Sequence, residues 1–184
     1  MLPSIELRIQ NLIKALSQVV LPAVDPGNGL AREQAQLVIA HLQVIAKQWD
    51  KAQTFEAQSL AALRALAERL ALAAAGGGET SRAGAGLRRA LAQRSESNER
   101  AALAREHEAL GTAIEELIAA AFAAAFADGS ADFRAQLDEA VLEHGQYQAW
   151  RERVWFAGNA LDPDRAELPS IDEMLRGSAS DRAR

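Results

Sequence analysis

Apolar residues recur at helical spacing through most of this chain, and from Leu30 to Ala75 they do so for about 46 residues without a Pro or Gly. At ~1.5 Å per residue one helix of that length is a rod of about 69 Å, against ~11 to 12 residues for the helix of an average domain, so it must lie against something. Ala35, Val38, Leu42, Ile45, Trp49 and Ala52 form one seam, and Leu60, Leu63, Ala67, Leu70 and Ala74 form another. Between them, around Phe55 and Glu56, the heptad spacing gains a residue, which unwinds the seam or turns it toward a different neighbour. Leu37, Ile39 and Val44 widen the apolar arc of the first half. The pattern therefore predicts that the first half is the doubly covered centre of a bundle and that Leu60 to Leu72 is short of covering partners.

The remaining elements follow from stops and caps. Pro3 and Ser4 open a first helix carrying Ile5, Ile9, Leu12, Leu16 and Val19, with Ile13 and Val20 widening the stripe and Pro22 disrupting it. Asp25-Pro26-Gly27-Asn28-Gly29 reads as a turn, and a short link between helices favours an antiparallel hairpin. Gly76-Gly77-Gly78 ends the rod, Glu79 to Gly86 reads as a flexible connector, and Leu87 to Gln93 as a short helix. Ser95 or Ser97 caps a third helix with the stripe Leu103, His107, Leu110, Ile114, Leu117 and Ala121, in which Gly111 marks a close helix crossing. Residues 119–127 are nearly all Ala apart from Phe122 and Phe126, which predicts tight packing at that end. After Asp128-Gly129-Ser130, a fourth helix presents Phe133, Leu137, Ala140, Val141, His144, Tyr147, Arg151, Val154 and Trp155 inward and ends at Gly158-Asn159. Ser170 and Glu173 have capping-box spacing for a short last helix.

Composition narrows the functional classes. The net charge of -5 lacks the clustered basic face that phosphate backbones require, and Arg82, Arg88, Arg89 and Arg94 are interleaved with Glu96 and Glu99 as on a solvated helix face. No nucleic-acid partner is expected. There is no Cys, which removes disulfides and thiolate chemistry and is compatible with a reducing cytoplasm. The amino terminus acquires charges within its first turns, unlike a signal peptide, and the longest apolar run, Leu117 to Ala127, falls short of the ~20 residues that span a bilayer. The expectation is a soluble, cytoplasmic protein with no membrane partner.

His41, His107 and His144 all fall on stripes assigned to the core. Bundles build metal sites from facing helices, but along antiparallel helices His41 lies ~20 Å and His144 ~10 Å from the level of His107. The ferritin-like pattern needs Glu three residues before His, where this chain has Val38, Ala104 and Val141, and no His-Glu-x-x-His helix occurs. The expectation is hydrogen-bonded core histidines, with no metal and no cofactor. Tyr147, Trp150, Arg151, Arg153, Trp155 and Phe156 form an aromatic and basic cluster in which Tyr147, Arg151 and Trp155 recur every four residues, the spacing that stacks a guanidinium on rings and that marks interface hot spots. No phosphate-binding Gly loop or catalytic motif is recognisable, which argues against an enzyme.

The link Leu21-Pro22-Ala23-Val24-Asp25-Pro26 and the following Leu30-Ala31-Arg32-Glu33-Gln34-Ala35 resemble an uncharacterised family of small all-helical bacterial proteins with no assigned activity, over the first third of the chain. The resemblance implies an all-helical fold and assigns no site residue. The sequence as a whole predicts an all-α, antiparallel four-helix bundle over residues 1–176, with an unusually long second helix, a short fifth helix at its C-terminal end and a disordered tail over 177–184. Four helices of such unequal length cannot cover one another evenly, so the expected function is binding, as a homo-oligomer (homodimer) or as an accessory subunit of another protein. Its expected contact residues are His107, His144, Tyr147, Trp150, Arg151 and Trp155. The alternative is a ligand-binding or catalytic bundle with an apolar pocket near His107, His144 and Tyr147.

Overall fold

The computed structural model describes residues 2–94, 99–122, 128–159 and 162–177, and every regular element among them is helical. The predicted caps Ser95 and Ser97, the second of the two phenylalanines, Phe126, and the tail from residue 178 lie outside the described residues. Helix α1 (Ile5–Ala15) starts at Ser4, whose Oγ accepts the Leu7 N–H at 3.2 Å. It runs on through a π-helical segment, Leu16–Val20, into a short α2 (Leu21–Ala23). Pro22 thus sits inside the helical run. Its ring crowds the carbonyl four residues back and it has no N–H to give, and the wider π turn ahead of it accommodates both. The Gly27 N–H donates to Asp25 Oδ1 at 3.0 Å, and Asn28 Oδ1 accepts from the Ala31 N–H at 3.1 Å to cap α3 (Gly29–Gln48).

The predicted rod is two helices. The turn at residues 49–51, closed by Lys51 N–H donating to the Gln48 carbonyl at 2.9 Å, separates α3 from α4 (Ala52–Ala73). It lies a few residues ahead of the register change at Phe55 and Glu56. Trp49-Asp50-Lys51 has neither Pro nor Gly to announce it; the turn is tied from elsewhere, with Gln48 Nε2 donating to the Trp155 carbonyl at 2.7 Å and Lys51 Nζ 3.6 Å from Asp172. After α4 come α5 (Gly78–Ala92), α6 (Arg100–Phe122), α7 (Ala131–Phe156) with a 3-10 turn at Ala157–Asn159, and α8 (Ile171–Arg176), which starts with the predicted capping box: Glu173 N–H to Ser170 Oγ at 3.2 Å and Ser170 N–H to Glu173 Oε2 at 2.8 Å.

The chain forms two compact units, Met1–Ala52 with Glu152–Met174, and Gln53–Arg151 with Leu175–Arg184. In the second, one apolar cluster draws on four helices: Leu60, Leu63, Leu66, Ala67, Leu70 and Ala71 of α4, Leu87 of α5, Leu103, Leu110, Ile114 and Leu117 of α6, and Phe133, Leu137 and Ala140 of α7. Leu70, Leu87, Leu110 and Leu117 are completely buried, each contributing ~1.5 to 3 kcal/mol of transfer free energy. In the first unit α1 packs on α3, and the buried apolar residues are Ile9, Ile39, Val44, Val154, Trp155 and Met174.

This reverses the expected coverage of the two half-rods. The second half is the buried one, covered by α5, α6 and α7, with Leu72 pointing out at 90% exposure. The first half leaves Leu30, Leu37, Val38, Ile45 and Trp49 exposed. The periodicity located the second seam, but on the first half the buried residues are Ile39 and Val44 rather than the predicted row, and it carried no information about how many neighbours each half has.

The Gly76 region is a close crossing rather than a loose connector. Gly76 pairs with Gly129 in an antiparallel bridge, the Gly77 N–H donates to the Asp128 carbonyl at 2.8 Å and the Ser130 N–H to the Ala75 carbonyl at 2.9 Å. A Cβ on Gly76 would meet the Asp128 carbonyl oxygen at 2.3 Å and Gly129 Cα at 2.8 Å. Asp128 caps α5 from across the crossing, accepting the N–H groups of Glu79 at 2.8 Å and Thr80 at 2.9 Å, and the Thr80 hydroxyl. With its first turn satisfied in this way, helix occupies the residues expected to be a connector, and Thr80, Gly84 and Leu87 are buried. The Thr80 hydroxyl, against an opposing desolvation, holds the Asp128 carboxyl below its ordinary value. Its stabilisation is present above the unfolded pKa of ~3.9 and is lost as pH falls through the lower folded value.

Gly111, expected at a helix crossing, has no heavy atom within 4 Å of where its Cβ would be. The two glycines therefore respond oppositely to alanine. Gly76→Ala costs about 1 to 3 kcal/mol because backbone must move, whereas Gly111→Ala stabilises by ~0.5 to 1 kcal/mol through helix propensity. Urea unfolding of both variants checks this; equal effects would contradict the crossing.

Candidate functional site

The structure divides the aromatic and basic cluster of α7. Tyr147, Trp150 and Arg151 belong to the second unit, and Arg153, Trp155 and Phe156 to the first. Arg151 has no exposed surface. Its Nη1 donates to Gln58 Oε1 at 3.1 Å and Tyr147 Oη at 3.4 Å, and its Nη2 to the Phe55 carbonyl at 3.0 Å and Ser59 Oγ at 3.4 Å. The guanidinium carbon lies 4.6 Å from the Phe55 ring centroid and 5.6 Å from that of Tyr147. Carbonyls, an amide, hydroxyls and two π faces thus solvate a buried cation in place of water. The i to i+4 stacking read from the sequence is present for Tyr147, and Phe55, the residue at the register change, supplies the second ring. Tyr147 also stacks with Trp150, with centroids 6.3 Å apart and planes at 22°.

Both Nη atoms of Arg151 donate within the chain while its buried Nε has no partner, and the residue ties the first turns of α4 to α7. Gln58 extends the network by donating to the Leu175 carbonyl at 2.8 Å. Trp155 is buried and contributes its carbonyl to Gln48, while Arg153 makes a two-pronged pair with Asp162 at 2.7 and 3.0 Å.

The histidines are not core residues as a set. His41 and His107 are exposed and His144 is half-buried. In α6 the buried position beside Leu103 and Leu110 belongs to Glu106, which pairs with Arg64 of α4. Residues 106 and 107 are both within a turn of Leu103 and Leu110, and the charge on Arg64 favours the glutamate. Burial, and secondly the electrostatic influence of His107, hold the His144 imidazole below its ordinary value. No group of three or more His, Asp or Glu suited to a metal occurs among the described residues. A shallow cavity of about 270 Å³ between α4 and α7 is lined by Ala62, Leu66, Arg69, Glu143, His144 and Tyr147. Arg69 pairs with Glu139 at 2.8 Å and with Glu143 at its rim.

Two of the three basic residues of α5 are engaged within the chain. Arg82 pairs with Glu79, and Arg88 Nη1 donates to the Ala71 carbonyl at 3.0 Å, satisfying an acceptor in the last turn of α4.

The most extensive unsatisfied surface is apolar and lies in the first unit. Twelve of the fifteen exposed large apolar side chains among the described residues belong to it, and ten of these fall between Ile5 and Trp49. The sequence analysis had these rows but assigned them to the interior. The signal that identifies them is a count of neighbours: among the described residues α1 and α3 are the only long helices wholly within the first unit, and two helices cannot enclose two apolar arcs. No helix among the described residues is long and apolar enough to cross a membrane.

Replacing Arg151 leaves the Phe55 carbonyl, Gln58 and Tyr147 without their shared donor. Arg151→Met is expected to cost ~2 kcal/mol or more, and Arg151→Lys to recover little, since an ammonium cannot span four acceptors and two rings. Guanidinium unfolding measures both; a stable methionine variant would show that desolvation outweighs the network.

Comparison of the chain with protein-family models, with curated proteins and with solved structures gives no match.

Proposed function

We propose that this protein acts by binding, as a cytoplasmic helical interaction protein whose recognition surface is the apolar face of α1 and α3. The observation that carries this reading is the concentration of exposed Val, Leu, Ile and Trp between Ile5 and Trp49. Apolar surface of that extent is costly to expose to water and marks an interaction site when it is contiguous on packed helices. In this reading α4 to α7 form an antiparallel four-helix bundle that is complete in itself, its buried charges Arg151 and Glu106 engaged in holding helices together. The absence of Cys fits a reducing compartment.

A ligand-binding bundle is the second reading. The cavity beside His144 and Tyr147 supports it, but about 270 Å³ is below the ~300 to 1,000 Å³ usual for small-molecule sites. The binding reading is preferred because the exposed apolar residues of α1 and α3 are the more extensive feature.

A photo-crosslinking amino acid at position 38, on the exposed seam, is expected to give discrete covalent adducts in cells. The same probe at Glu115, on the solvated side of α6, is expected to give none. Equal labelling from both positions, or none from either, would contradict a recognition face on α3.

A further inference from the structure

The exposed face has a regular internal order. Ile5 and Leu12, seven residues apart on α1, are each 53% exposed, and Val19, in the π-helical segment that follows, is 66% exposed, whereas Ile9, on the same stripe, is buried. On α3, Val38 and Ile45 are likewise seven apart and exposed. Each helix thus carries exposed apolar residues seven apart beside other apolar residues that are buried within the chain. A seven-residue repeat fits a straight helical partner crossing at ~20° with a matching repeat, and not an extended peptide or a flat surface.

We infer that the occupant of this face is the α1–α3 hairpin of a second copy of this chain, the two hairpins packing as an intermolecular four-helix layer about a two-fold axis. This rests on the binding reading above and names its partner. Three features of the surface fit it. A Val, Leu or Ile side chain presents on the order of 100 Å² of apolar surface, so the nine at about half exposure other than Leu7, which points roughly 200° away from Ile5 on α1, offer ~450 Å². A standard interface buries ~800 Å² per partner at roughly 60% apolar, which is the same quantity. Residues 5–49 contain four basic and three acidic residues (Arg8, Lys14, Arg32, Lys47 against Glu6, Asp25, Glu33), so two copies meet without the repulsion expected from a chain of net charge -5. The chain also supplies the complementary element itself, since an isologous contact requires that the same heptad rows appear on both sides.

Sedimentation equilibrium of the full chain over a hundredfold range of concentration tests this. The expected result is association from 19.7 kDa to twice that mass, weakened at least tenfold by Leu12→Lys with Ile45→Lys and unchanged by Leu142→Lys, an exposed apolar position in the second unit. Far-UV circular dichroism reports whether each variant keeps its helices. Because the chain has no Cys, Ile45→Cys is expected to form an intermolecular disulfide efficiently and Leu142→Cys is not. A monomer at every concentration, or a dimer that is insensitive to the two lysines and crosslinks through position 142, overturns the inference. A monomer whose position-38 photo-probe captures a different chain overturns the self-pairing and leaves the binding reading standing; a monomer with no adduct at all removes both.

Discussion

Burial of the inner row of α4 is the constraint on which the rest of the second unit depends. Leu60, Leu63, Leu66, Ala67 and Leu70 occupy the common interior of four helices, and the other features serve to keep that interior closed. The glycine crossing lets the α4–α5 turn approach Gly129 closely enough for Asp128 to cap α5. Arg88 satisfies a carbonyl in the last turn of α4, Arg64 and Glu106 pair across to α6, and Arg151 holds the first turns of α4. Such pairs are expensive to desolvate and add little net stability; what they contribute is register, because each admits only one alignment of its helices.

Helix positions, caps and apolar rows were legible in the sequence because they depend on residues within a turn or two of one another. Ser4 and Ser170 cap as their side chains predict, and the inward arc of α7 from Phe133 to Trp155 is buried or half-buried along its length. What failed was everything decided by a distant neighbour. The turn at residues 49–51 is fixed by Trp155 and Asp172, the helicity of residues 79–86 by Asp128, and the choice of Glu106 over His107 by Arg64. Periodicity likewise located the second seam of Leu30 to Ala75 without indicating how many helices would reach each half.

The aromatic cluster shows the same division. Its spacing correctly implied a guanidinium stacked on rings, yet a stacked arginine is equally at home in a core and at an interface, and only complete burial of Arg151 decides between them. The surface with unmet demand is the one that sequence reasoning had placed inside. An apolar heptad row is the same pattern whether it is covered or exposed, so an exposed row is read naturally as core.

The central claim is that Leu30 to Ala75 contains one half enclosed within its own chain and one half enclosed by association. Hydrogen exchange resolved along this stretch, measured at low and high protein concentration, tests it most directly. Amides of Leu63 to Ala71 are expected to exchange only through global unfolding at both concentrations, and those of Val38 to Trp49 to exchange faster at low concentration and slow markedly as concentration rises. Equal, concentration-independent protection of the two halves would contradict the account.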